Sequence, residues 1–463
     1  MGSGDEPDMT RIARLVGASA LTVMPLWTPP IAGAVNPPVV DMSILPKPGP
    51  PAPPQRTEQQ GQCVGPTDGT IESTSDDAVD AVDLLRLQDV WPLTRGAGQT
   101  VAVIDTGVSR HRLLPHLVPG GDYVSTGDGT ADCDGHGTIV AGIIGASPEQ
   151  GSGFSGIAPE ATVIGIRQSS SKFRAADEPS GVGFGDVDTL AMAVRTAADM
   201  GATVINVSTV ACLSIKDELD DRALGAALAY AVDVKNAVVV TAAGNVGSAG
   251  QCSDQNPTTD PRRPGTPNWS DVNTVVTPGW YDDYVLTVGS VGRDGVPSPF
   301  SLAGPWVDVA AVGEEIVSLD PDGEGLIDRL VAAGDQRPIS GTSYAAPVVS
   351  GIVALLRSRA PELTARQVMQ RIEDTAQASS AGWDPAVGNG TVDAVAAVSA
   401  GPGSHRDGSP PRPLPIPGAE PPEPADHFAM RGAALCIAVS TTLVAATAAA
   451  RRLRRRTDAV PLD

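Results

Sequence analysis

The chain has 463 residues, 41% of them hydrophobic and only 3% aromatic, which allows one large core built on close backbone packing. Its formal net charge is −22, and only four of its 32 basic residues are lysines. So acidic a surface repels phosphate and argues against nucleic acid as a partner.

Arg11 and Arg14 precede an apolar stretch over residues 15–27, which closes on Ala32-Gly33-Ala34. This is the layout of a signal peptide over 1–34, cut after Ala34. Asp5, Glu6 and Asp8 suit such a leader poorly, so Met9 is the alternative start. Residues 35–95 form an N-terminal extension. Its first part, 35–60, is rich in proline without apolar periodicity and reads as extended, polyproline-like chain. The spacing of Val79, Val82, Leu84, Leu85 and Leu87 predicts a helix over 76–94.

From about Thr100 strand and helix signals alternate. Strands are predicted at 101–104, 162–166, 204–207, 237–240, 284–291 and 307–312. Helices are predicted at 138–145, 186–200, 218–235, 344–359 and 363–376, and 169–185 and 247–283 read as loops. Strands apolar on both faces, alternating with helices, imply an α/β domain with a mainly parallel sheet over 96–400. A Pro-rich linker follows at 401–430. Gly432 to Ala450 then runs 19 residues without a charge, just long enough for a hydrocarbon layer of about 30 Å. A transmembrane helix is therefore expected at 431–450. Five arginines between 451 and 456 place the tail, 451–463, in the cytoplasm and the domain outside it, on the cell membrane.

Cys63, Cys133, Cys212, Cys252 and Cys436 include no CxxC pair, so a zinc or dithiol site has little support. An exported chain favours disulfides among the first four, in any of three pairings. No Asp/Glu-rich loop of calcium-binding type is present, and no metal or cofactor is expected. His111 and His116 are read as surface residues in a turn region.

Four short signals fall in order along the domain: Asp105-Thr106-Gly107 after a strand, Gly135-His136-Gly137-Thr138 opening a helix, Ala243-Gly244-Asn245 after a strand, and Gly341-Thr342-Ser343 opening a helix. Acyl transfer needs each residue type. A serine hydroxyl (Ser343) becomes nucleophilic when a base (His136) takes its proton. A carboxylate (Asp105) holds the other ring nitrogen. The Asn245 amide and the Ser343 backbone N–H would receive the oxyanion. Asp-Thr-Gly is also the mark of aspartic proteases, but their chemistry needs a second carboxylate and no second copy occurs.

The stretches VAVIDTGV, GHGTIVAGII, FSGIAPEATVIGIR, VINVS, VVVTAAGN and GTSYAAPVVSGIVALL resemble the subtilase family, and GNGTVDAVAAV resembles its closing turn and helix. The resemblance implies a three-layer α/β/α sandwich and a serine endopeptidase. The signal peptide, Cys-bearing extension, linker, single span and basic tail narrow it to the mycosins, subtilases attached to type VII secretion systems. That implies a protease in or beside a secretion membrane complex, acting on a limited set of secreted proteins. A structural role in that complex, with proteolysis dispensable, is the alternative.

The same resemblance assigns Ser208, Thr209, Val210 and Gly244 to substrate binding. A branched Val210, where glycine is usual, implies small or slender residues before the scissile bond. Cys63 is expected to pair with Cys133 and Cys212 with Cys252, with swapped pairings left open. The extension lacks the pattern of a removable folding assistant and is expected to wrap the domain.

Overall fold

The computed structural model describes residues 35–399 except 65–80, 150, 218, 248–251, 258–264, 323, 333–334 and 379–381. The chain divides into two units, Met1–His405 and Arg406–Asp463. The signal peptide, linker, span and tail read from the sequence lie outside the described residues. Among the described residues no helix is long and apolar enough to cross a membrane.

The extension supplies β1 (Thr57–Gln59) and two short helices, α1 (Ala81–Leu84) and α2 (Leu87–Val90). The domain continues with β2 (Thr100–Asp105), β3 (Leu117–Asp122), β4 (Thr162–Arg167), β5 (Phe173–Ala175), β6 (Val204–Val207) and β7 (Ala211–Ser214). Then come β8 (Val238–Ala242), β9 (Thr274–Thr277), β10 (Leu286–Val291) and β11 (Val309–Val312). The longer helices are α3 (His136–Gly145), α4 (Val187–Asp199), α5 (Arg222–Ala229), α6 (Thr342–Arg359) and α7 (Ala365–Thr375).

Seven strands form one parallel sheet in the order β11-β10-β8-β6-β2-β4-β3. Every residue of β6, β8, β10 and β11 is buried, as a sheet covered on both faces requires. Helix α3 packs with α6 against the sheet, while α4 packs with α5. Helix α6 is buried from Thr342 through Arg357, so it runs through the core with packing on every side. Capping boxes at Asp186/Thr189 and Thr364/Gln367 start α4 and α7. The chain begins the sheet at β2, adds β3 and β4 on one side, then returns to add β6, β8, β10 and β11 on the other. This reversal beside β2 opens a crevice at the carboxyl ends of the strands.

Several elements depart from the sequence reading. The expected 76–94 helix is broken at Arg86, which is left-handed (φ 52°) between α1 and α2. The 218–235 helix narrows to α5 followed by a π-helical turn, Tyr230–Val234. The loop 169–185 contains β5, which pairs antiparallel with β1 of the extension. The loop 247–283 contains β9, paired antiparallel with β7. The edge strand β3 carries Pro119, Gly120 and Gly121, which hid it. His111 is buried rather than exposed. Its Nδ1 accepts from Leu113 N at 3.1 Å and Nε2 donates to Gly325 O at 3.2 Å, and burial lowers its pKa, keeping it neutral.

Three carboxylates crowd together below β10 and β11. Burial, then the charge of Asp283, pushes Asp282 up to about 6. Burial, with Asp282 and Asp374 adding, pushes Glu373 on α7 up to about 7. Burial, then Glu373 and Asp282, raises Asp308 well above the usual range, although it accepts from Thr287 N at 2.6 Å. A carboxyl whose pKa rises on folding takes up a proton as the chain folds, so its contribution to stability is lost as pH climbs through the folded value. Glutamine mimics the protonated form. Glu373→Gln should raise the unfolding midpoint by about 1–3 °C at about pH 8 and leave it nearly unchanged at about pH 4, below the unfolded carboxyl's value, as read by thermal scans at both pH values.

Candidate active site

Asp105 ends β2 at the crevice and is wholly buried. Its Oδ1 lies 2.7 Å from His136 Nδ1 and also accepts from Thr106 N at 2.8 Å. His136 is the first residue of α3. A side chain at the next residue, Gly137, would place its Cβ 2.0 Å from Gly107 O, so only glycine lets α3 start this close to the turn after β2. Burial pulls the His136 pKa down, but the Asp105 charge and hydrogen bond, aided by Asp132 and Asp134, outweigh it and leave the pKa above its ordinary value.

The sequence reading missed Asp132, which organises this corner. Its Oδ1 accepts from Thr106 Oγ1 and Gly135 N, both at 2.8 Å, and its Oδ2 from Thr138 N at 2.8 Å and Thr138 Oγ1 at 2.7 Å. An aspartate just ahead of a helix start is the available signal. Cys133, its neighbour, is bonded to Cys63, and Val64 N donates to Cys133 O at 2.9 Å. The extension is thereby fastened three residues from His136.

Ser343 lies in the first turn of α6. Its carbonyl accepts from Ser208 Oγ at 2.8 Å; that hydroxyl accepts from Asn206 Nδ2 at 2.9 Å, and Asn206 Oδ1 accepts from Ser350 Oγ at 2.8 Å. Asn206 was legible only as one polar residue inside an apolar strand. Asn245 Oδ1 accepts from Thr342 N at 2.9 Å and Thr342 Oγ1 at 3.1 Å, which fixes the amide's orientation. Ser343 Oγ and Asn245 Nδ2 lie 3.2 and 3.7 Å from the point a Gly341 Cβ would occupy, so both face one small space. The Tyr344 ring centroid is 5.2 Å from that of His136. Among the described residues no hydrogen bond joins His136 to the Ser343 hydroxyl, a contact that commonly tightens only with substrate bound.

Gly244 (φ 94°) sits on the second disulfide, Cys212–Cys252. Its Cβ would fall 2.9 Å from Cys252 Sγ and 3.3 Å from Cys212 Sγ. Cys252 N also donates to Asn245 O at 3.0 Å. Thr209 and half-buried Val210 follow Ser208 on the way to β7, and Val210 packs at the edges of both hydrophobic clusters. A cleft of about 860 Å³ runs past His136 and Tyr344, between the loop 169–185 and Leu330. Leu330 belongs to the hairpin of β14 (Arg329–Ala332) and β15 (Asp335–Pro338), which follows a shorter pair, β12 (Ser318–Leu319) and β13 (Leu326–Ile327). Among the described residues no group of three or more His, Cys, Asp or Glu side chains could hold a metal ion.

This fold and site define a serine protease of the subtilisin class. The profile described as the subtilase family matches residues 96–390. Mycosin-4 of Mycobacterium tuberculosis is 56% identical over 457 residues, spanning 96% of this chain and 97% of that protein. The structure titled MycP3 protease from the type VII (ESX-3) secretion system is 46% identical with a TM-score of 0.72, covering 79% of this chain and 99% of that one. A chain of the intact ESX-5 inner membrane complex is 40% identical with a TM-score of 0.74, covering 90% and 100%. The chain belongs to the subtilase family and, within it, to the mycosins.

Because Gly244 combines a left-handed backbone with direct contact to the disulfide, Gly244→Ala should displace Asn245. On the reading of Asn245 as an oxyanion donor, the expected result is a loss of at least about 100-fold in kcat, with a disulfide still intact in a non-reducing peptide map.

Proposed function

We propose that the chain is a membrane-anchored serine endopeptidase that cleaves a limited set of secreted proteins within or beside a type VII secretion complex. Asp105, His136 and Ser343 form its triad, and Asn245 with the Ser343 backbone N–H receives the oxyanion. The observation that carries this reading is the 2.7 Å contact of His136 with buried Asp105 at a crevice faced by the start of α6.

The imidazole is oriented by Asp105 through Nδ1, which leaves Nε2 to take the Ser343 proton. The same carboxylate stabilises the imidazolium as it forms. As the carbonyl oxygen gains charge, the preset Asn245 amide meets it without reorganising. The proton then passes from His136 to the leaving amine. The similarity to a chain of the ESX-5 inner membrane complex supports a membrane partner. The leader, the 431–450 span and the basic tail support a catalytic domain outside the cytoplasm on a single anchor. Half-buried Val210 supports a narrow first specificity pocket, with small or slender residues before the scissile bond.

A fluorophosphonate should label the purified chain at one residue, mapped by mass spectrometry to Ser343, and Ser343→Ala should abolish both label and cleavage. Labelling elsewhere overturns the triad. His136 must be neutral to act as base, and its pKa is raised above the ordinary value. The acid limb of kcat/KM should therefore have its midpoint above about 6.5, and a rate flat from about pH 8 to about pH 5 contradicts this base.

A further inference from the structure

We propose that Glu178 makes the cleft select a basic side chain in the substrate segment lying along it, an inference that rests on the protease reading above. The cleft beside His136 is bordered by two carboxylates, Asp134 and Glu178, and by no lysine or arginine. The two carboxylates differ in what already binds them. Asp134 is engaged on both oxygens: Oδ2 accepts from Ser170 Oγ, and Oδ1 accepts from Ser171 N at 2.8 Å and Ser171 Oγ at 2.5 Å. Its charge holds the cleft wall to the His136 corner.

Glu178 is exposed, and among the described residues its carboxylate has no hydrogen bond and no ion pair. Of the cations close to it in sequence, Arg174 is occupied. Arg174 donates Nε and Nη2 to Glu58 Oε1 of the extension at 3.0 and 2.7 Å, and Nη1 to Pro179 O at 2.6 Å. The Lys172 stem lies against Gly61, with Cδ 3.2 Å from that residue's Cβ position. Glu178 O accepts from Gly181 N at 3.0 Å, closing the turn that shapes the wall. The pairing of β1 with β5 thus takes up the Arg174 charge and leaves the Glu178 carboxylate bare at the cleft wall. A cleft with low-dielectric walls focuses that charge, so a lysine or arginine is attracted there and an acidic residue repelled.

The test is digestion of a synthetic random-peptide library by the full chain and by Glu178→Gln, with products identified by mass spectrometry. With the native enzyme, one position relative to the cut should be enriched in Lys and Arg over Gln by about twofold to fivefold, the strength of a solvent-exposed pair, and depleted in Asp and Glu. Glu178→Gln should lose that enrichment while keeping preferences at other positions, and ~1 M salt should shrink it in the native enzyme. Cleavage without a basic position, or a basic preference that survives Glu178→Gln, overturns the inference but not the protease. No cleavage together with no fluorophosphonate label on Ser343 overturns both.

Discussion

The site depends on one topological constraint, the reversal of strand order beside β2. A parallel sheet grown in one direction leaves no gap at its carboxyl ends; this one turns back, so β2 is flanked by β4 on one side and β6 on the other. Asp105 at the end of β2, Ser208 after β6 and Asn245 after β8 therefore reach the same rim. The two helices that supply His136 and Ser343 pack against each other on the sheet.

Placing groups at a rim does not orient them, and buried polar bonds do that work. Asp132 ties the turn after β2 to the start of α3, and the Asn206–Ser208–Ser343 chain ties β6 to the start of α6. Thr342 holds the Asn245 amide oxygen. Such networks leave few buried donors unpaired and hold rotamers that a mobile loop would not. The two disulfides reinforce the same points, one just before His136 and one beneath Gly244.

The electrostatics at His136 follow from an acidic chain folded around an imidazole. Asp105 opposes the burial of His136 and keeps its imidazolium accessible, with Asp132 and Asp134 adding to the field. The extension takes part, since Glu58 pairs with Arg174 and so removes a cation from the cleft wall. A segment that pairs with the domain through β1 thereby also sets the charge beside the cleft.

The sheet was legible because stretches such as 101–104 and 237–240 are continuous apolar runs, and burial on both faces demands that pattern. The proposed triad and Asn245 stand out in the sequence because each lies in a short motif at the end of such an element. What the sequence left open involves partners distant along the chain. β1 with β5 and β7 with β9 are short strands whose hydrogen bonds exist only once the domain has folded. Asp132, Asn206 and Glu178 are single polar residues whose role depends on what lies beside them. Which cysteines join, and which carboxylate stays unpaired in the cleft, are decided by packing, because composition and spacing carry no record of through-space neighbours. By itself the sequence determined the class of chemistry and pointed to candidate reacting groups; the tertiary structure decided the orientation and surroundings of those side chains.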